Sequence, residues 1–210
     1  MVSAVPQGYS ATATIKTLVE SMPAQIKVGD KLPDVRLART ASEAFSTLSE
    51  LNGSLVVVFT VPKAFTKVCS EQHLLGFVIA TDEFRKLGVE KIACIAVNTL
   101  DEMRAWAKEH DPLGKITMIP DWGAELVWKM GLGMDKSEPR GLGFVAKRSV
   151  LILQNGRVCS IKVEEDAGIC LKSSAISTLA DVFHYYLSSL GSKEVSKGDE
   201  KKEELIKVKA

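Results

Sequence analysis

The sequence predicts an α/β fold in which helices flank a mixed central β-sheet. Two observations carry that prediction. Short β-branched runs alternate with segments of helical spacing, and the alternation ends in a hairpin followed by one more helix. Leu55-Val-Val-Val-Phe59 is a continuous apolar run, the pattern of a strand buried on both faces. Helical spacing from Glu71 to Leu87 follows it. Ile92 to Val97 is the second strand-like run, with a helix expected over Leu100 to His110. Ile116 to Ile119 is a shorter strand, and Trp122 to Met130 the next helix. Val150 to Leu153, the Gln154-Asn155-Gly156 turn and Arg157 to Val163 read as a hairpin, because Asn-Gly tolerates the left-handed backbone of a two-residue loop. Ser173 to Leu190 closes the domain as a helix.

A thioredoxin-like fold is the simplest architecture with this order of elements. The folded domain is expected over 26–190. Residues 1–25 are poor in charge and rich in Ser, Thr and Ala, and read as a loosely attached extension with a short helix around Ile15 to Ser21. Residues 191–210 hold six lysines and five acids with few large apolar groups. Such a tail cannot repay the entropy of ordering and is expected to be disordered. The composition of the whole chain, 46% hydrophobic and 25% charged over 210 residues, suits one soluble domain. A net charge of +1 gives no bulk attraction to nucleic acid or anionic membrane, and the apolar runs, such as the five residues Leu55 to Phe59, are far too short to span a bilayer. Neither partner is expected. Cys69, Cys94, Cys159 and Cys170 form no Cys-x-x-Cys, which argues against a zinc ribbon and a thioredoxin-type dithiol, and points to a reducing compartment. The cytoplasm is the simplest location. A mitochondrion or plastid is the alternative, should the N-terminal extension be a targeting peptide.

Chemistry concentrates just after the most buried strand, in Val61-Pro62-Lys63-Ala64-Phe65-Thr66-Lys67-Val68-Cys69-Ser70. Functional groups collect where a central strand hands over to a helix. Cys69 falls in the first turn of the expected helix, where the dipole and unpaired N–H groups favour thiolate over thiol. Thr66 is either an N-cap or a hydroxyl that serves the thiolate and a substrate oxygen. Pro62 ends the strand, and can shape one wall of a pocket.

Pro62-x-x-x-Thr66-x-x-Cys69 resembles the active-site signature of peroxiredoxins. The longer run Ala64-Phe65-Thr66-x-x-Cys69-Ser70-x-x-His73-Leu74-x-Gly76-Phe77 is similar to the type II and atypical two-cysteine subfamily. The resemblance extends to Ile26-Lys27-Val28-Gly29-Asp30-x-x-Pro33, to Ala93-Cys94-Ile95-Ala96-Val97-Asn98, to Trp106-Ala107-x-x-His110 and to Arg148. It covers roughly 26–190.

The resemblance implies a thiol-dependent peroxidase for hydrogen peroxide, alkyl hydroperoxides and peroxynitrite, without metal or organic cofactor. Cys69 would be the peroxidatic thiolate and Arg148 the cation that holds it with the substrate oxygens. Thr66 would stabilise developing charge, and Pro62 would line the pocket. A homodimer packed through loops near the active sites is implied, as is a thiol reductant: thioredoxin, glutaredoxin or glutathione. The alternatives are a peroxide sensor or redox-regulated binding protein with little turnover, and a chaperone-like holdase. Relatives carry small residues or proline where this chain has Lys63, Lys67 and Val68. The two lysines are expected to favour the thiolate and anionic oxidants, and Val68 to stiffen the loop.

In atypical two-cysteine relatives the resolving cysteine sits in the loop before the last helix. Cys170 falls in that loop, and is either that thiol or an incidental loop cysteine. Cys94 lies in an apolar strand where some type II relatives carry a cysteine, and is either the resolving thiol or, as burial favours, inert; no family role transfers to Cys159. His73, four residues past Cys69 on the same helical face, either makes a structural hydrogen bond or acts on the thiolate. Trp106, Trp122 and Trp128 read as core or interface anchors. Asp121 and Glu125 read as N-terminal charges of the Trp122 helix, and Arg140 and Arg157 as surface charges. Gly131-Leu132-Gly133 and Gly141-Leu142-Gly143 read as flexible turns near the dimer face.

Overall fold

The structure, a computed structural model, describes residues 14–38, 42–138 and 141–188. Arg140 and the expected tail over 191–210 lie outside the described residues. Five strands form the central sheet in the order β5-β4-β3-β8-β9: β3 Val56–Thr60, β4 Lys91–Ala96, β5 Thr117–Pro120, β8 Ser149–Gln154 and β9 Arg157–Val163. β3, β4 and β5 run parallel, whereas β8 pairs antiparallel with both β3 and β9. The sheet is therefore mixed, as the sequence predicts. The Asn155-Gly156 turn has φ of 50° and 73°, the left-handed pair expected of a two-residue hairpin. Two small ribbons complete the strands: β1 Arg36–Ala38 with β2 Ala44–Ser46, and β6 Gly133–Asp135 with β7 Phe144–Ala146.

Alternation along β3 sends its side chains to two separate cores. Val56 and Val58 join Ile95, Leu151 and Leu153 under α1 Ile15–Glu20 and α5 Glu125–Lys129. Val57 and Phe59 join Cys94, Val150 and Ile152 under α3 Leu75–Lys86, α4 Leu100–His110 and the last helix, α6, over 175–188. α2 is the single turn Thr47–Glu50. Phe77 stacks on Phe59 at 4.4 Å and on Phe84 at 5.6 Å. Phe77→Ala should therefore cost about 3–5 kcal/mol, read as a lower urea midpoint; a change below about 1 kcal/mol would mean that the stack is not a keystone.

Three expectations change. The segment read as loosely attached contains α1, which is docked: Leu18 is fully buried and its carbonyl accepts from Trp128 Nε1 at 3.1 Å. The helix expected from Trp122 starts later. Asp121 is buried and its carboxylate accepts from the Leu126 and Val127 N–H groups at 3.2 and 2.8 Å, so the helix begins beyond the Trp122-Gly123 turn. Trp122 is left 54% exposed, while Trp106 is fully buried. Gly131 and Gly133 are tight contacts rather than flexible turns. Gly131, at φ 64°, ends α5, and a Cβ there would meet the Ala24 carbonyl at 2.7 Å; a Cβ on Gly133 would overlap the Phe144 ring. Arg157 is exposed, as read, and its Nη1 donates to Gly29 O.

Candidate active site

β3 ends at Thr60 in the middle of the sheet, and antiparallel β8 begins opposite it at Ser149. The residue just before β8 therefore lies beside the residues just after β3. Thr60 fastens the junction: its hydroxyl donates to Lys147 O at 2.5 Å and lies 2.6 Å from the Ser149 hydroxyl. This brings Arg148 to Cys69, 79 residues earlier in the chain.

The chain leaves β3 through a loop pinned to β4. Val61 N donates to Ile95 O at 3.0 Å, and Ala64 N to the Asn98 side chain at 2.9 Å. Phe65 adopts φ 63°, so the strained backbone falls there rather than at Lys63, Lys67 or Val68. Lys67 is already helical, and a β-branched Val68 opens the helix without conflict. The first stretch, Val68–Leu74, is π-helical and runs into α3. The sequence expectation of a helix from Glu71 thus misses its first three residues. Cys69 sits in the first turn and is fully buried. Thr66 is not an N-cap; its hydroxyl donates to Lys63 O at 3.0 Å, and its carbonyl accepts from Ser70 N.

Arg148 is 2% exposed and uses its whole fork. Nη2 donates to Cys69 Sγ at 3.2 Å. Nε and Nη2 both donate to Ala167 O, at 3.1 and 2.7 Å, and Nη1 donates to His73 Nδ1 at 3.1 Å. His73 is fully buried; burial first, then the Arg148 charge, hold it down at about 3, so the ring is neutral. Pro62, Thr66, Lys67, Val68 and Arg148 line a cavity of about 510 Å³ together with Lys136, Leu142 and the Asp166–Gly168 turn. Lys63 is absent from this lining and acts instead on the Glu102 carboxylate. Of the two lysines expected near the thiolate, only Lys67 faces the pocket.

The structure gathers Pro62, Thr66, Cys69 and Arg148 around one site. Cys170 is half-buried on the segment between β9 and α6, and all four cysteines are free. Burial pushes its thiol up, with Arg148 opposing and Glu164 and Cys69 adding smaller effects. Cys94, next to Phe59 in the sheet, is fully buried and pushed well above the ordinary thiol range by that burial. Cys159 donates to Ile152 O, and burial raises it too. Sequence reasoning missed Asn98 as an anchor of the site loop, although a lone polar residue at the end of an apolar strand is a usable signal. It also missed the Ala167 carbonyl, which no side chain announces.

A buried cysteine at a helix start, with a guanidinium brought to it across a mixed sheet, is the candidate thiol site of this fold. The redoxin family profile matches residues 27–179. Peroxiredoxin-2E, chloroplastic, of Arabidopsis thaliana is 36% identical over 173 residues, covering 79% of this chain and 74% of the relative. Peroxiredoxin-2E-2, chloroplastic, of Oryza sativa subsp. japonica is 38% identical over 159 residues, covering 72% and 70%. Among solved structures, reduced Prx3 in complex with hydrogen peroxide from Vibrio vulnificus aligns with a TM-score of 0.71 at 31% identity, over 77% of this chain and 99% of that one. The chain belongs to the redoxin family and, within it, to the type II peroxiredoxins. Membership carries thiol-dependent peroxidase activity as the general class of chemistry.

Proposed function

We propose that Cys69 is the peroxidatic thiolate of this peroxidase. The single observation that carries the reading is the 3.2 Å contact from Arg148 Nη2 to Cys69 Sγ. A permanently charged donor in a buried site favours the anionic sulfur and the oxygens of an incoming hydroperoxide. The sulfur attacks one peroxide oxygen: an S–O bond forms and the O–O bond breaks. The bonding pair leaves on the second oxygen, which takes a proton and departs as water or an alcohol. Cys69 is oxidised by two electrons to the sulfenic acid. Thr66 and Pro62 line the approach, and the Thr66 hydroxyl, which donates to Lys63 O here, exchanges that bond for one to the leaving oxygen. A cavity of about 510 Å³ accommodates alkyl hydroperoxides as well as hydrogen peroxide.

Cys170 is our choice of resolving thiol. Its ionisation is sensitive to both Arg148 and Cys69, and its segment is held by Arg148 through Ala167 O. Condensation with the sulfenic acid forms the S–S bond and releases water, leaving a disulfide for thioredoxin to reduce. Without that step, glutathione or glutaredoxin resolves Cys69 directly. We also favour a homodimer through loops beside the site, where Phe65 is 48% exposed. The plastid is preferred over the cytoplasm, because the two relatives at 36% and 38% identity are chloroplastic by name.

The test is one equivalent of hydrogen peroxide on fully reduced protein with a sulfenate trap, read by intact mass and peptide mapping. Loss of two hydrogens with a Cys69–Cys170 crosslink is the expected result. Trapping at Cys69 alone keeps the peroxidase and removes Cys170 from the cycle. An unmodified Cys69 overturns the reading and moves the weight to a binding role.

A further inference from the structure

His73 lies one helical turn past Cys69, and its ring packs against Phe59 and Phe77 at 4.8 and 5.6 Å between centroids. Nδ1 is 3.1 Å from Arg148 Nη1, and Nε2 is 2.9 Å from Ser173 O. A guanidinium only donates and a carbonyl only accepts. Nδ1 must therefore accept, and Nε2 must carry the hydrogen. One tautomer of the neutral ring satisfies both contacts; an imidazolium would turn an N–H against the guanidinium.

We propose that His73 is a positioning residue for the reaction at Cys69: it accepts from Arg148 Nη1 and fixes the plane of the guanidinium, so that Nη2 stays on the sulfur. This rests on the peroxidase reading above. Arg148 holds Ala167 O through Nε and Nη2, a pivot that leaves the fork free to rotate. His73 supplies the third point that stops the rotation. The ring is in turn held by a built support. Ser173 is fixed by Glu164, whose buried carboxylate accepts from Leu171 N, Ser173 N and the Ser173 hydroxyl at 2.8, 2.8 and 2.9 Å. Cys170 lies inside that tied segment, so the same ring joins the segment of the second thiol to the fork on the first.

Two substitutions separate positioning from packing. His73→Phe keeps an aromatic ring and loses both polar contacts. His73→Gln keeps an acceptor and a donor. The Phe variant should lose roughly 10- to 100-fold in kcat/KM for hydrogen peroxide, by analogy with the loss when the outer partner that orients a metal-bound ligand is removed. The pH midpoint of Cys69 alkylation by iodoacetamide should rise with it. The Gln variant should recover most of both. In an Arg148→Met background, His73→Phe should change neither readout, because its effect passes through Arg148. Wild-type behaviour of His73→Phe, or an undiminished loss in the Arg148→Met background, overturns the proposal. Alkylation needs no turnover, so it still reads the positioning role should the peroxidase reading fail. Nitrogen NMR of the wild-type ring provides a check that needs no variant. An unprotonated Nδ1 that does not titrate between about pH 5 and 8 supports the proposal; an Nδ1–H tautomer or a titrating ring overturns it.

Discussion

Arg148→Met should lower kcat/KM for hydrogen peroxide by roughly 10²–10³-fold, the loss expected when one preorganised donor is removed from developing charge. The side chain is almost wholly buried, and methionine fills similar space without a donor. Three acceptors lose their partner at once: Cys69 Sγ, His73 Nδ1 and Ala167 O. Arg148→Lys should recover only part of the loss. A lysine brings the charge but is a point donor, and cannot hold three acceptors in one plane. Stopped-flow peroxide consumption under pseudo-first-order conditions measures the effect. A Met variant within about threefold of the parent would show that the guanidinium does not act on the transition state.

Asp121→Asn should make stability fall with pH between about 6.5 and 4, where the parent is nearly flat. Two buried groups oppose each other in that window. His73 is held at about 3 in the fold but takes a proton near 6.5 when unfolded. Its contribution is complete above 6.5 and is lost as pH falls toward 3. Asp121 is pushed up to about 7, chiefly by burial, against an ordinary carboxyl near 3.8. Its folded form holds a proton that the unfolded chain has released, so its contribution is complete below 3.8 and is lost as pH rises through 7. At pH 5 the unfolded chain carries the histidine proton and the folded chain the aspartic proton, and the slopes cancel. Asparagine removes one side of that balance. The remaining slope approaches about 1.4 kcal/mol per pH unit. Urea unfolding at three pH values inside the window measures it, and parallel slopes for parent and variant would refute the opposition.

The main sheet was legible because its strands are short, β-branched and punctuated, and the Asn155-Gly156 turn has few other backbone solutions. The thiol site was legible for a similar reason: Pro62, Thr66 and Cys69 lie within one local stretch, so their spacing survives into space. Arg148 came from resemblance, since no local pattern marks a residue that acts across 79 positions. The start of α5 was misread because helical spacing cannot announce that the carboxylate of Asp121 turns inward and caps N–H groups five and six residues later. The contacts of His73 were half legible. Its i+4 spacing placed it on the face of Cys69, but its partners arrive from the residue before β8 and from the turn before α6, which no window along the helix contains.

Because β8 and its preceding arginine are made well after β3 and Cys69, the thiol and its cation are separated in time as well as in sequence. A ribosome that adds about 5–20 residues per second needs roughly 4–16 s to cover the 79 positions between them. Through that interval Cys69 is present without the side chain that faces it in the finished fold. The β3–β8 ladder that fastens Thr60 to Ser149 cannot close until still later. Until that junction closes, Cys69 has no guanidinium beside it, so the contact between the two side chains marks a completed β3–β8 pairing.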